Sequence, residues 1–438
     1  MDPFDLIIAV SAVIIVSFFF NILAKRTNIP SVLMLIVLGV VIKESISATS
    51  FQTHSFDYFE ILKVLGNVGL VMIVLEAALD LELNMEKKPM IIKSFLVALI
   101  SLALSTLMIS AIIFYLIPGV QEYFNAIVYA IPLSIMSSAF IIPSVAGLKG
   151  EKKEFMVYES TFSDILGIMV FYFVVGQENG AAVHNITLNI LLNILVTVVI
   201  SVVVAYGLVY LFQKLSSQVK LFLIIAVLMF MFAVGKKFHL SSLLIILAFG
   251  LVLNNTSVFF KGRLSKYLNQ ESVKPILHDF HILTLESAFV IRTFFFVIFG
   301  MFITISSLID LNVALVSICI ITSLYVVRFV VLRVILKTDN LTPLLWIAPR
   351  GLITILLFFA LNESQYTIDN FDPGILLFTI LISSLIMTIA LITYRGEKVS
   401  DVLFSSIPKF KTDKNKDGIH DDYEDTINEN VDNQKLRN

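Results

Sequence analysis

The chain has 438 residues, 58% of them hydrophobic and only 15% charged, with a formal net charge of −2 and a mean hydropathy of +0.93. These values exclude an ordinary soluble domain and describe an all-α polytopic membrane protein. The near-zero charge, with no basic cluster beyond short loops, excludes a nucleic-acid surface, and the single Cys319, inside an apolar run, leaves no disulfide framework.

Thirteen apolar runs of roughly spanning length follow one another at 5–24, 30–43, 60–81, 91–117, 125–148, 155–176, 187–213, 219–235, 239–254, 288–307, 311–336, 342–361 and 374–394, which predicts thirteen transmembrane helices. The first run follows Met1-Asp2-Pro3-Phe4-Asp5 instead of a basic stretch and lacks a small-residue cleavage site, so it reads as a retained helix and not a signal peptide. Seventeen lysines and arginines lie on the side reached by the end of the first span, against four opposite. The positive-inside rule then puts the N-terminus outside and the C-terminus in the cytoplasm, as expected for a multi-pass protein of the cell membrane.

In the third span Glu76 falls in the inner half of the bilayer, where it lines an entrance or forms a helix-packing ion pair. Asp80 and Glu82, near the cytoplasmic end, read as solvated. The fifth span carries Ser137-Ser138-Ala139-Phe140-Ile141-Ile142-Pro143, two hydroxyls and a proline at membrane depth. Proline frees a backbone carbonyl, which lipid tolerates only where protein or a water-filled cavity satisfies it.

The sixth span, Phe155 to Val175, holds Glu159-Ser160-Thr161-Phe162-Ser163-Asp164. Asp164 sits near mid-membrane, where an ionisable group costs roughly 2.5 to 3.5 kcal/mol on the most lenient scale and marks a functional site by default. On a helix, Glu159 and Ser163 share a face while Asp164 points about 140° away from Glu159. One carboxylate is then expected against a fixed cation and the other in a cavity; the alternative is that both are helix-packing ion pairs.

His278, His281 and Glu286 fall in a stretch read as a solvated loop over residues 256–287, and Arg292, Arg328 and Arg333, near cytoplasmic span ends, read as snorkelling anchors. The twelfth span contains Ala348-Pro349-Arg350-Gly351, a second break with a charge added. The two breaks are seven spans apart and run in opposite directions, as an inverted repeat of spans one to six and eight to thirteen would produce.

The composition changes at residue 394, which divides the chain into a transmembrane domain, 1–394, and a polar cytoplasmic tail, 395–438. In the tail Asp413, Asn415, Asp417, Asp421 and Glu424 occupy positions 1, 3, 5, 9 and 12 of a calcium-type loop, with Gly418 at position 6. The apolar residue stands at position 7 instead of 8 and no amphipathic helix flanks it, so calcium binding stands beside an acidic disordered tail. No other cofactor is expected.

These motifs together resemble the monovalent cation:proton antiporter superfamily, in particular its sodium/proton exchanger branch. The resemblance rests on Glu159 to Asp164 and on Arg350-Gly351, with support from Leu75-Glu76-Ala77-Ala78-Leu79, Arg26 to Pro30 and Phe294 to Gly300. It implies a homodimer and a mobile core in which two broken helices cross near the ion. It also implies that Asp164 binds the ion, that Glu159 pairs with Arg350, and that Glu76 lies near the path. Ser163 stands where that branch has asparagine, and Ala139-Phe140 where it often has Asp-Pro.

The expected activity is exchange of a monovalent cation, sodium first with potassium and lithium left open, for protons that compete for the same carboxylate. Ser163 cannot titrate, which predicts one proton per ion and an electroneutral cycle; Ser138 and Ser163 complete the candidate ion-binding set with Asp164, Glu159 and Glu76. A gated cation channel built on the same polar residues is the alternative. An enzyme is not expected, because neither an HExxH nor a GxSxG motif is present.

Overall fold

The computed structural model describes residues 3–27, 30–48, 58–81, 83, 87–145, 148, 150–175, 199–208, 210, 220–237, 242–260, 270–302, 310–337, 340–361, 366–368 and 370–405. Among them helices and turns alternate and no strand occurs. In chain order the helices are α1 (Pro3–Thr27), α2 (Ser31–Ala48), α3 (Tyr58–Asp80), α4 (Lys88–Leu116), α5 (Tyr123–Ser134), α6 (Ser138–Ser144) and α7 (Glu151–Val175). Then come α8 (Val199–Leu208), α9 (Lys220–Lys237), α10 (Ser242–Asn254), α11 (Thr256–Phe259), α12 (Gln270–Phe302), α13 (Leu311–Leu336), α14 (Leu352–Leu361) and α15 (Gly374–Ser405).

The chain divides into two units, Met1–Tyr394 and Arg395–Asn438. The second is described only to Ser405, the end of α15, and the calcium-type loop lies outside the described residues. Seven segments of the described chain are long and apolar enough to cross a membrane, and the protein is multi-pass.

The helices expose large apolar residues where a soluble bundle carries polar ones, and they bury serines and small residues among the apolar core. On α4 the large residues Ile92, Phe95, Leu96, Leu99, Ile100, Leu104 and Leu107 are exposed, while Ser94, Ala98, Leu102 and Ser105 are buried against α5, α7 and α13. Where lipid replaces water, burial of small residues lets helices approach closely. The crossing of α2 and α12 uses this at Gly39 and Gly300: a Cβ on Gly39 would strike the Val297 carbonyl oxygen, and one on Gly300 the Ile36 carbonyl oxygen.

Both expected breaks are present, but their form differs from the sequence reading. The fifth span was expected to yield at Pro143; instead Pro143 lies inside α6 and the chain opens at residues 135–137, after Pro132 in the last turn of α5. The twelfth span is not a helix from 342 onward. It runs through turns at 342–346 and an irregular stretch at 347–351 before α14 begins. The stretch 256–287, read as a loop, is largely helical, since α12 starts at Gln270.

The two breaks cross, with the Ser137 N–H donating to the Pro349 carbonyl at 2.9 Å. Gly351 permits this closeness, because a Cβ there would lie 2.6 Å from the Phe140 ring and 2.7 Å from Ser137 Oγ.

Candidate functional site

Opening a helix inside a membrane strands backbone groups, and each must find a partner. The partners chosen here assemble the site. At the first break the Met136 N–H donates to Ser163 Oγ at 2.9 Å, and the Ser138 N–H donates to Asp164 Oδ2 at 3.0 Å. The polar residues of α7 are therefore bound to the open backbone between α5 and α6. At the same break the freed Leu133 carbonyl accepts from Arg350 Nε at 2.9 Å.

Asp164 is 4% exposed. Its Oδ1 is buried without a hydrogen-bond partner among the described residues, as are Ser137 Oγ, Thr161 Oγ1 and Thr354 Oγ1. A carboxylate oxygen left free at such depth costs free energy unless a proton or cation takes it. Ser138, whose backbone holds Asp164, lines a cavity of about 600 Å³ together with Ala139, Glu76, Asp80, Glu286 and Arg292; Asp164 itself is not in that lining.

Glu159, 1% exposed, does face a fixed cation, but not the one expected. Its Oε1 accepts from Arg328 Nη1 at 2.6 Å and its Oε2 from Arg328 Nη2 at 3.1 Å. Arg328 is buried and also donates to the Leu344 and Leu345 carbonyls at the second break. The expected Glu159–Arg350 pair does not form, and Arg328 is no surface anchor. With residues 342–351 in turns and irregular backbone instead of a regular helix, Arg350 turns its guanidinium to backbone carbonyls, Leu133 and, at 2.7 Å, Ala348.

The helix bounds set the true partners at one depth: Arg328 is eight residues before the end of α13 and Glu159 eight residues into α7, about 12 Å from those helix ends at 1.5 Å per residue, whereas the apolar run beginning at 155 puts Glu159 only four residues in. Glu159, Ser163, Arg328 and Arg350 line one void of about 20 Å³, so the cluster is contiguous.

An ion pair and a histidine–carboxylate hydrogen bond also join α3 to α12. Arg292 Nη2 donates to Glu76 Oε1 at 3.0 Å, and His281 Nε2 lies 2.7 Å from Asp80 Oδ1. Asp80 and His281, read from the sequence as solvated, are half-buried and bonded to each other, because the helical start of α12 carries His281 alongside the end of α3.

A family model described as sodium/hydrogen exchanger, transmembrane, matches residues 13–394. The chain belongs to the sodium/hydrogen exchanger family. Two solved structures share the exchanger fold. One is the sodium proton antiporter MjNhaP1 from Methanocaldococcus jannaschii at pH 8, with TM-score 0.63, 17% identity, and coverage of 90% of this chain and 99% of that one. The other is an electron-microscopy map of the same antiporter, with TM-score 0.60, 17% identity, and coverage of 94% and 100%. A comparison with curated proteins gave no match. Membership of this exchanger family fits a transporter, and the cluster on α7 and the two breaks lies within the matched residues.

Proposed function

We propose that this chain is a secondary transporter that exchanges a monovalent cation, sodium first, for protons across the cell membrane in an electroneutral cycle. The observation that carries the reading is Asp164: a buried carboxylate with one oxygen unpartnered and the other held by the open backbone at Ser138, a residue that lines the cavity. Proton and cation compete for that carboxylate, and its alternate exposure to the two sides exchanges them.

In this reading Ser138 and Ser163 set the position of Asp164, and Glu76 lines the approach. Glu159 takes no ion; it is neutralised by Arg328 and holds the second break. The reading includes thirteen spans in an inverted repeat, a homodimer, an external N-terminus and a cytoplasmic tail in which Asp413, Asn415, Asp417, Asp421 and Glu424 take calcium. The family membership favours a carrier over a gated channel.

The test is a proteoliposome assay with a trapped pH dye. Added sodium should dequench the dye in a saturable manner, and the response should vanish in Asp164→Asn. Single-channel currents in a planar bilayer would sink the carrier reading.

A further inference from the structure

Glu76 is an acid on the cavity wall, and it already has a cation. Its carboxylate is mostly buried and bonded to Arg292, and both residues line the cavity. Arg292 differs from Arg328. Whereas Arg328 grips Glu159 through a fork and also binds two carbonyls, the hydrogen bond of Arg292 is a single contact, Nη2 to Glu76 Oε1 at 3.0 Å. The other charged groups lining the cavity are Asp80 and Glu286, and Asp80 is taken up by His281. Arg292 is the basic side chain among the described lining residues. It has no carbonyl to hold at a helix break, so its position is explained by Glu76 alone.

We propose that Arg292 is a positioning residue that acts as a tethered counter-cation: it withholds Glu76 from the transported ion and leaves Asp164 to bind it with a single negative charge. The chemistry is competition between a guanidinium fixed to the wall and a free monovalent cation for the same carboxylate. Loss of the guanidinium adds an unpaired carboxylate to the approach, concentrates cations there and tightens their hold. This inference rests on the exchange reading above and specifies which carboxylate the ion meets.

The experiment uses the full chain, purified and reconstituted, with Arg292→Gln, Arg292→Lys, Glu76→Gln and the double variant Glu76→Gln/Arg292→Gln. Sodium KM and kcat come from the dye assay, and sodium Kd from calorimetry in detergent. Arg292→Gln should lower KM and Kd by about tenfold, with a lower kcat because the ion leaves slowly. Arg292→Lys should stay near the parent, and the double variant should return to it. Glu76→Gln alone, which bares the guanidinium, should raise both constants by about tenfold; this arm holds even if Arg292→Gln does not fold.

Constants unchanged in both single variants, or a double variant that behaves as Arg292→Gln does, would overturn the proposal. A parent that binds sodium but moves no protons would instead sink the exchange reading, while the Kd arm still decides the role of Arg292.

Discussion

Ser138 donates its backbone N–H to Asp164 Oδ2 at 3.0 Å, so the opening of one helix and a buried carboxylate of another are a single structural unit. The broken backbone fixes where Asp164 points, and the α7 helix in turn satisfies the break through Ser163 as well.

Asp164→Asn keeps an oxygen for the Ser138 N–H and removes the charge. The expected outcome is loss of exchange with thermal stability within about 1 kcal/mol of the parent, the scale of one neutral hydrogen bond. Dye dequenching and a melting curve on the same preparation check it; substantial exchange at any pH rejects Asp164 as the binding carboxylate.

Competition at one carboxylate has a defined pH dependence. As pH falls, protons occupy Asp164 and the apparent sodium KM rises, approaching about tenfold per pH unit in the acid limb, while the maximal rate at saturating sodium changes little. Initial rates across a sodium titration at several pH values test this, and a KM independent of pH would separate proton binding from cation binding.

Arg328 and Glu159 form a buried pair in which each leaves an uncompensated charge if the other is removed. Arg328→Ala and Glu159→Ala should each cost about 3 to 5 kcal/mol. The double variant should be less damaged than the sum, by a coupling of about 0.5 to 3 kcal/mol. Arg350→Ala strands the Leu133 and Ala348 carbonyls but no carboxylate, so thermal melts should show no such coupling between Arg350 and Glu159.

Charge balance gives a voltage test. Glu159 is neutralised by Arg328 and Glu76 is paired with Arg292, so one monovalent ion and one proton leave the site with equal charge. Exchange in liposomes held at different potassium diffusion potentials should proceed at one rate and to one end-point. Rates that track the potential would mean that a second carboxylate cycles.

At the crossing of α2 and α12 the added methyl of Gly39→Ala would meet backbone, which cannot rotate away. A cost of about 1 to 3 kcal/mol is expected from overpacking. The same substitution at Gly207, where a Cβ meets nothing within 4 Å, is the control, and melting temperatures of the two variants compare them.

From the sequence alone it follows that this is a multi-pass helical membrane protein with two broken spans and a carboxylate, Asp164, at membrane depth in the sixth. Those inferences follow from the cost of charge and open backbone in lipid, which is paid locally and so is visible in a local stretch of residues. The sequence also placed Glu159 against a fixed arginine. Which arginine that is, and where the fifth span opens, depended on how the helices pack. Helix depth reckoned from span ends assumes regular helices, and residues 342–351 are irregular, so Arg350 was carried away from Glu159 while Arg328, on the regular α13, met it. The break fell at 135–137 and not at Pro143 because the acceptors for the freed N–H groups, Ser163, Asp164 and the Pro349 carbonyl, come from segments distant in sequence. The pairing of Glu76 with Arg292 and of Asp80 with His281 likewise depends on how α3 packs against α12, a contact between residues more than 200 positions apart.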